Sequence, residues 1–452
     1  MSIRRRDFLR LAVSASAAAT VGACAEEEDA EPQSTITDPD SASADTAGPD
    51  AGVTEDLGIG AQDVQGAEPS EVYGPSWMHL VGTTAVVRLQ TLGSRPGRIF
   101  YTTADGEVEA EVEIDTRDLT YAWPPQGFDL IVDYPDLPGT YTVHTARLPV
   151  SATSETRWRF VEEGRAETTG VCPAVPAAGS AFRVGWISDT MQPASTDVGT
   201  LLGETAPVLW LHGGDIQYQS NPLDTWRGFF EAFQTSFRTS YVALAAGNHD
   251  YEQQEEFGAQ YSRLFRGQFP DSQNDTYGSI RLGSALFVML NSEDDFREGD
   301  GDGSQFTWAS QLLQEAAANP DIRQIIVGFH RPFYTFSNSQ ANLNTRAQWH
   351  PLFKQSGVSL ILTGHNHCYE RFDVEGMHYI VDGGGGALTY DVDDTRSFIV
   401  QSAPEDLPLR KVAERTHGVT TLDFAADGAV TVTRVNINGA TTDSFTIPPR
   451  PS

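Results

Sequence analysis

The chain of 452 residues is poor in cysteine, in basic residues and in long apolar runs. It holds three cysteines, too few for the disulfide framework of a small secreted scaffold. Basic residues number 30 against 62 acidic ones, a formal net charge of −32. That balance excludes a nucleic-acid binder, which needs a basic footprint to meet phosphates. The one membrane-directed stretch, near the N-terminus, is too short and too weakly apolar to span a bilayer. What remains is a chain with ordinary globular composition, long enough for two or three domains.

"RRRDFLRLAVSASAAATVGAC" joins a basic start, a short apolar stretch and small residues, the grammar of a secretory signal over residues 1–24. Arg5-Arg6-Asp7-Phe8-Leu9-Arg10 looks like a twin-arginine signal, and Val21-Gly22-Ala23-Cys24 resembles a lipobox in which Cys24 is lipidated. The expected location is therefore periplasmic or cell-surface, with membrane attachment only through a lipid at Cys24. The alternative is soluble export after cleavage nearby. Residues 25–70 carry thirteen acidic residues and no basic one, which predicts a disordered tether. Cys172 and Cys368 are left as an even pair, but a chain folded in a reducing cytoplasm before export disfavours a bond between them.

Residues 71–165 show short alternating runs such as "TAVVRLQT" and "TYTVHTARL", the pattern of a small antiparallel sandwich. Its two histidines, His79 and His144, are isolated and read as packed or surface residues. "RAETTGVCPAVPAAGS" reads as a linker. From residue 180 to 452, apolar runs alternate with helical patterns: "FRVGWIS", "APVLWLHG", "YVALAAG", "RQIIVGF" and "VSLILTG". This predicts an α/β domain with strands covered on both faces. "YGSIRLG" and "ALFVMLNS" suggest a hairpin, and the tail from Gly418 suggests closing strands.

Each of the five apolar runs ends in a potential metal ligand: Asp189; Asp215 and Tyr218; Asn248-His249-Asp250; His330; His365 and His367. Loops at the ends of such strands are where α/β sheets assemble sites. Taken singly each has an ordinary explanation, as a helix cap, a turn or a packed side chain. Together they are too many for one ion and suit two hard or borderline ions such as Fe, Zn or Mn. A pair of ions suits phosphate-ester hydrolysis, because two cations clamp the phosphoryl group and generate hydroxide at neutral pH.

Gly214-Asp215…Tyr218, Gly247-Asn248-His249-Asp250, Val327…His330 and Gly364-His365-Asn366-His367 resemble the GDxxY, GNH(D/E), VxxH and GHxH motifs of the purple acid phosphatases, within the calcineurin-like metallophosphoesterases. Tyr369-Glu370-Arg371 and Gly383 to Ala387 extend the likeness. The resemblance implies a four-layer αββα sandwich, here preceded by a fibronectin type III-like sandwich. It implies Asp189, Tyr218 and His367 on a ferric ion, Asn248, His330 and His365 on a divalent ion (Zn, Mn or Fe), and Asp215 bridging them. It further implies hydrolysis of small phosphate monoesters by a metal-bound hydroxide, with the Asn248 amide steadying charge and His249 protonating the leaving group. Rival readings are a phosphodiesterase or nucleotidase with Zn or Mn in both sites, and a non-catalytic surface-binding protein.

Two departures stand out. The first motif is Ser188-Asp189-Thr190-Met191 rather than GDxG, so Tyr218 has to complete the first pocket where Met191 is a poor ligand. The loop "RPFYTFSNSQANLN" lacks the histidines common there, which leaves Tyr334 and Asn338 as candidate substrate contacts. His212, His350, His378 and His417 read as structural or surface residues.

Overall fold

The computed structural model describes residues 76–118, 140–216, 228–250, 261, 264–272, 274–293, 303–339, 341–392 and 403–451. The proposed signal, its Cys24 and the acidic segment lie outside them, as does Tyr218. No helix among the described residues is long and apolar enough to cross a membrane.

The N-terminal region is all β. Strands β1 (Ser76–Val81), β2 (Thr84–Leu92), β6 (Thr140–Pro149) and β5 (Val112–Asp118) form one antiparallel sheet in that order. Strands β4 (Gly106–Glu109), β3 (Gly97–Thr103), β7 (Thr156–Glu162) and β8 (Thr168–Cys172) form the other. This order is that of an immunoglobulin-type Greek-key sandwich. Met78, Leu80, Ile99, Trp158 and Phe160 fill it from both sheets. The stretch read as a linker begins with β8, because Thr168, Gly170 and Cys172 alternate inward and complete the second sheet. Gly170 is needed there: a Cβ would lie 2.2 Å from the Trp158 ring.

The remainder builds two larger sheets. The first runs β11 (Tyr241–Leu244), β10 (Leu209–His212), β9 (Phe182–Ile187), β19 (Gly418–Phe424), β20 (Val430–Asn436), β21 (Thr441–Ile447). The second runs β12 (Gly278–Leu282), β13 (Ala285–Met289), β14 (Gln324–Gly328), β15 (Leu360–Thr363), β17 (Met377–Asp382), β16 (Tyr369–Val374), β18 (Arg410–Glu414). Strands β9–β11 are parallel to one another, as are β13, β14, β15 and β17. The sheets share Trp186, Leu211, Phe287, Met289, Ile326, Leu362 and Leu422 between their faces.

Helices cover the outer faces. Helix α1 (Ser195–Thr205) and helix α2 (Gln234–Thr239) bring Val198, Leu202 and Phe237 onto Trp210 and Val242. Helix α3 (Ser304–Ala318) and helix α4 (Leu343–Ser356) bring Leu313, Ala316, Trp349 and Phe353 onto Ile325 and Val327. The expected four-layer αββα arrangement is thus present, with the predicted hairpin as β12–β13 and the tail as β19–β21. Helix α1 was not anticipated from the sequence. Gly199 lowers its propensity but lets it pack so closely that a Cβ would lie 1.9 Å from the Ala232 carbonyl.

The sandwich docks on the first sheet through β1, against the edge strand β11. Trp77 stacks on Phe230 (5.0 Å) and donates from Nε1 to the Leu264 carbonyl. His79 donates from Nδ1 to the Val242 carbonyl at 2.8 Å and meets Phe265 edge-on. Tyr241 Oη reaches back to the Pro173 carbonyl. His144 bonds Thr91 Oγ1 and packs on Phe160.

Candidate metal centre

Strands β9, β10 and β11 of one sheet and β14 and β15 of the other end at one edge, and each delivers its predicted residue there. Three of these residues leave their strands in the left-handed conformation: Asp189 (φ 62°), Asp215 (φ 56°) and His365 (φ 69°). Such backbone is costly for non-glycine residues, and here it turns each side chain sharply back over the sheet edge. The flanking glycines permit the crowding. A Cβ on Gly364 would lie 2.4 Å from Asp189 Oδ2, and one on Gly247 would lie 2.2 Å from Asp215 Oδ1.

His330 is fully buried and donates from Nδ1 to the Gly213 carbonyl at 2.9 Å, which leaves its Nε2 lone pair facing inward. That nitrogen lies 3.1 Å from Asp215 Oδ2, 3.1 Å from Asn248 Oδ1 and 3.1 Å from His365 Nδ1. The ligating atoms of Asp215, His330 and His365 fall within 4.8 Å of one another. Asp189 and His367 meet on the other flank, with Oδ1 3.5 Å from Nε2. His367 is oriented like His330, by Nδ1 donation to the Leu388 carbonyl at 2.7 Å, and its ring stacks on Tyr390. Asp189 Oδ2 accepts the His365 amide, so the two flanks share a loop.

These residues fit a pair of cations. Lone pairs of Nε2, Oδ2, Oδ1 and Nδ1 converge with too few protons to hold them, in a site with two buried carboxylates. Burial would favour neutral His330, yet the Asp215 and Asp189 carboxylates outweigh it and hold its pKa up to about 10. A proton on His330 stands where a cation would go. Burial opposes ionised Asp189 too, but its bond to His367 and the neighbouring histidines hold its pKa down at about 2.

Six of the seven predicted ligands are therefore brought to this edge: Asp189, Asp215, Asn248, His330, His365 and His367. Tyr218 lies outside the described residues. His249 stands on the solvent side, with its amide donating to Asp215 Oδ1 at 2.8 Å and Nε2 4.0 Å from Asp215 Oδ2. The unusual first motif ties adjacent loops together. Ser188 Oγ donates to the Gly214 carbonyl and Thr190 Oγ1 meets His212 Nε2. His212 accepts the Gly214 amide on Nδ1, in keeping with a structural histidine.

Several residues named only as parts of motifs support the centre from behind. Asp250 accepts the amides of Gly247, Asp215 and Ile216, clamping the second loop to the third. Burial and the Asp215 charge raise its pKa. Asn366, between the two histidines, bonds Thr335 Oγ1 and both the amide and carbonyl of Ser339. Glu370 holds Thr335, the Phe336 amide and Arg410. The loop after His330 is thereby fixed from behind. The periodicity rules read residues facing a common core, so contacts of this kind leave no pattern in the sequence.

Two expectations need adjusting, those for Tyr334 and His350. Tyr334 is buried against Tyr379 and Phe372, with Arg346 over its ring, so it is a core residue rather than a substrate contact. His350 is half-buried on Tyr379 rather than a surface residue. His417 donates from Nε2 to the Ala387 carbonyl, in keeping with a structural histidine. Cys172 and Cys368 are both buried and unbonded.

Residues 182–369 match the family model described as calcineurin-like phosphoesterase. An uncharacterized protein of Mycobacterium tuberculosis is 25% identical over 291 residues, 59% of this chain and 52% of that one. Purple acid phosphatase 18 of Arabidopsis thaliana is 25% identical over 297 residues, 63% of this chain and 65% of that one. The chain thus spans about half the length of the first relative and about two thirds of the second. The purple acid phosphatase PPD1 of yellow lupin seeds shares the fold, with a TM-score of 0.67 at 17% identity, covering 83% of this chain and 74% of that one.

Proposed function

We propose, from the calcineurin-like phosphoesterase match of residues 182–369 and the resemblance to the purple acid phosphatases, that this chain is an exported dinuclear-metal phosphatase hydrolysing phosphate monoesters. The observation that carries the reading is the convergence of Asp215 Oδ2, Asn248 Oδ1 and His365 Nδ1 on His330 Nε2, beside the Asp189–His367 pair. Asp189, Tyr218 and His367 would hold a ferric ion, Asn248, His330 and His365 a divalent one, with Asp215 between. Bound there, two cations supply Lewis acidity and lower the pKa of water enough for attack on phosphorus.

The chain's own groups do the rest. Asn248 presents its amide to the phosphoryl oxygens. His249, half-exposed above Asp215, delivers a proton from its ring to the departing oxygen. Asp250 and Gly213 hold Asp215 and His330 in place through the bonds described above. The sandwich of residues 71–165 is an accessory region, and Arg5-Arg6 and Cys24 would direct export and lipid attachment.

The decisive experiment combines metal analysis, a visible spectrum and hydrolysis of p-nitrophenyl phosphate before and after chelation. The expected result is two ions per chain, a tyrosinate-to-iron absorption band and activity that chelation removes. A colourless protein with two Zn or Mn would overturn the iron and favour the diesterase or nucleotidase reading. A metal-replete protein inert toward every phosphoester would leave only the surface-binding reading.

A further inference from the structure

The second sheet of the sandwich turns its outer face toward helix α2. Strand alternation puts Thr102 of β3, Arg157 and Arg159 of β7, and Thr169 of β8 on that face, while Trp158 points into the core. With Gln234 and Arg238 of α2 as a wall, these residues line a cavity of about 530 Å³, within the range of ligand sites. A second hollow of about 360 Å³ shares Val171 and Thr239 with the first, which makes one elongated groove. The wall is fixed in place: a Cβ on Gly170 would lie 2.8 Å from the Arg238 carbonyl, so helix and strand pack with no side chain between them. Arg238 comes just before β11 and Asn248 just after it, so the groove and the metal centre lie at opposite ends of that strand.

Three guanidinium groups line the groove, in different surroundings. Arg159 is fully engaged. Its Nε and Nη2 bond both oxygens of Glu107 at 2.7 Å, its Nη1 bonds Glu167 at 2.9 Å, and it lies over the Phe100 ring. Arg157 is paired with Glu155. Arg238 has no carboxylate partner among the described residues, and its Nε is buried without a hydrogen bond. Burial lowers its pKa, and no neighbouring anion raises it. In a chain with 62 acidic residues and 30 basic ones, a half-buried arginine left without a carboxylate has lost hydration and gained no partner. Thr169 and Gln234 also lack side-chain partners among the described residues, so the guanidinium is flanked by free hydroxyl and amide groups. None of the exposed large apolar side chains, Val108, Ile114, Leu388 and Ile437, lines the groove, which leaves it without the anchors a peptide would use.

We propose that this groove binds a carboxylated polysaccharide, with a uronate carboxylate on Arg238 and sugar hydroxyls on Thr169 and Gln234. A carboxylate accepts two parallel bonds from a guanidinium fork. Its single charge matches the one unpaired cation, which a phosphomonoester dianion would exceed. The elongated shape suits a chain of sugars. The proposal does not depend on the phosphatase reading.

The test is titration calorimetry of the full chain with polygalacturonate, dextran and poly-glutamate, for the parent, Arg238→Gln and Gln234→Ala, with thermal melting as the check on folding. The parent is expected to bind polygalacturonate in preference to the other two. Arg238→Gln should weaken that binding roughly tenfold or more, and Gln234→Ala by a smaller factor, with melting unchanged. A parent that does not bind polygalacturonate would overturn the proposal. Equal binding of dextran would overturn it too, because the charge would then be idle, and tighter binding of poly-glutamate would make the groove a peptide site instead. Affinity unchanged in folded Arg238→Gln would remove the carboxylate contact and with it the proposal. Gln234 is exposed, so its variant keeps the question open to measurement if the arginine variant misfolds: unchanged affinity there would then overturn the site.

Discussion

His79 in the sandwich and His330 at the end of β14 begin alike and end apart. Both are buried, and both donate from Nδ1 to a backbone carbonyl, Val242 at 2.8 Å and Gly213 at 2.9 Å. The Nε2 of His79 finds no hydrogen-bond partner among the described residues, and burial with nearby Arg88 lowers its pKa to about 3. The Nε2 of His330 faces Asp215, Asn248 and His365, and carboxylate charge overcomes burial to hold its pKa at about 10. Burial alone makes a packed neutral histidine. Convergence with buried carboxylates makes one that demands a cation.

The strongest way to break this contrast is Asp215→Asn, which makes the surroundings of His330 more like those of His79. The expected loss in kcat/KM is on the order of a thousandfold. In metal-depleted protein the His330 ring should also titrate well below its present pKa, as read by NMR. An unchanged rate would sink the hydrolase itself. Asp250→Asn is milder, because it loosens the loop amides around Asp215 while leaving every proposed ligand in place. Metal affinity should fall by roughly ten- to a hundredfold in a chelator competition, with activity recovered at saturating metal. Full activity at trace metal would show that the clamp is dispensable.

The smallest effect sharpens the other side. His79 and His144 have folded-state pKa values lowered to about 3 and about 4, chiefly by burial. Their unfolded forms bind protons near pH 6.5, so their contribution is complete above that pH and is lost as the pH falls from about 6.5 toward 3. The slope is up to about 1.4 kcal/mol per pH unit for each histidine. Denaturant midpoints followed from pH 7 to pH 4 should show a shallower decline in His79→Gln/His144→Gln than in the parent. Equal slopes would place the acid sensitivity elsewhere.

The strand-end residues were legible because each is local: an apolar run, a glycine and a ligand within a few positions. The four-layer arrangement followed from the same alternation of runs and helical patterns. Helix α1 was not legible, since Gly199 reads as a breaker until Ala232 is seen beside it. Arg238 was hidden because β7 and β8, which share its groove, lie far earlier in the sequence. Asp250 was visible within its motif, but its work on Asp215 and Ile216 depends on a loop more than thirty residues earlier. His79 read as an isolated histidine, and only the docked β1 shows what it touches.

That docking has a consequence for anyone who would shorten the protein. Strand β11, which leads to Asn248, is the outer strand of its sheet, and the sandwich lies against it through Trp77 and His79. Removing residues 76–172 would uncover Phe230 and Phe265 together with a strand ready to pair with a second copy. The product would be a sticky fragment prone to aggregate, not a smaller enzyme.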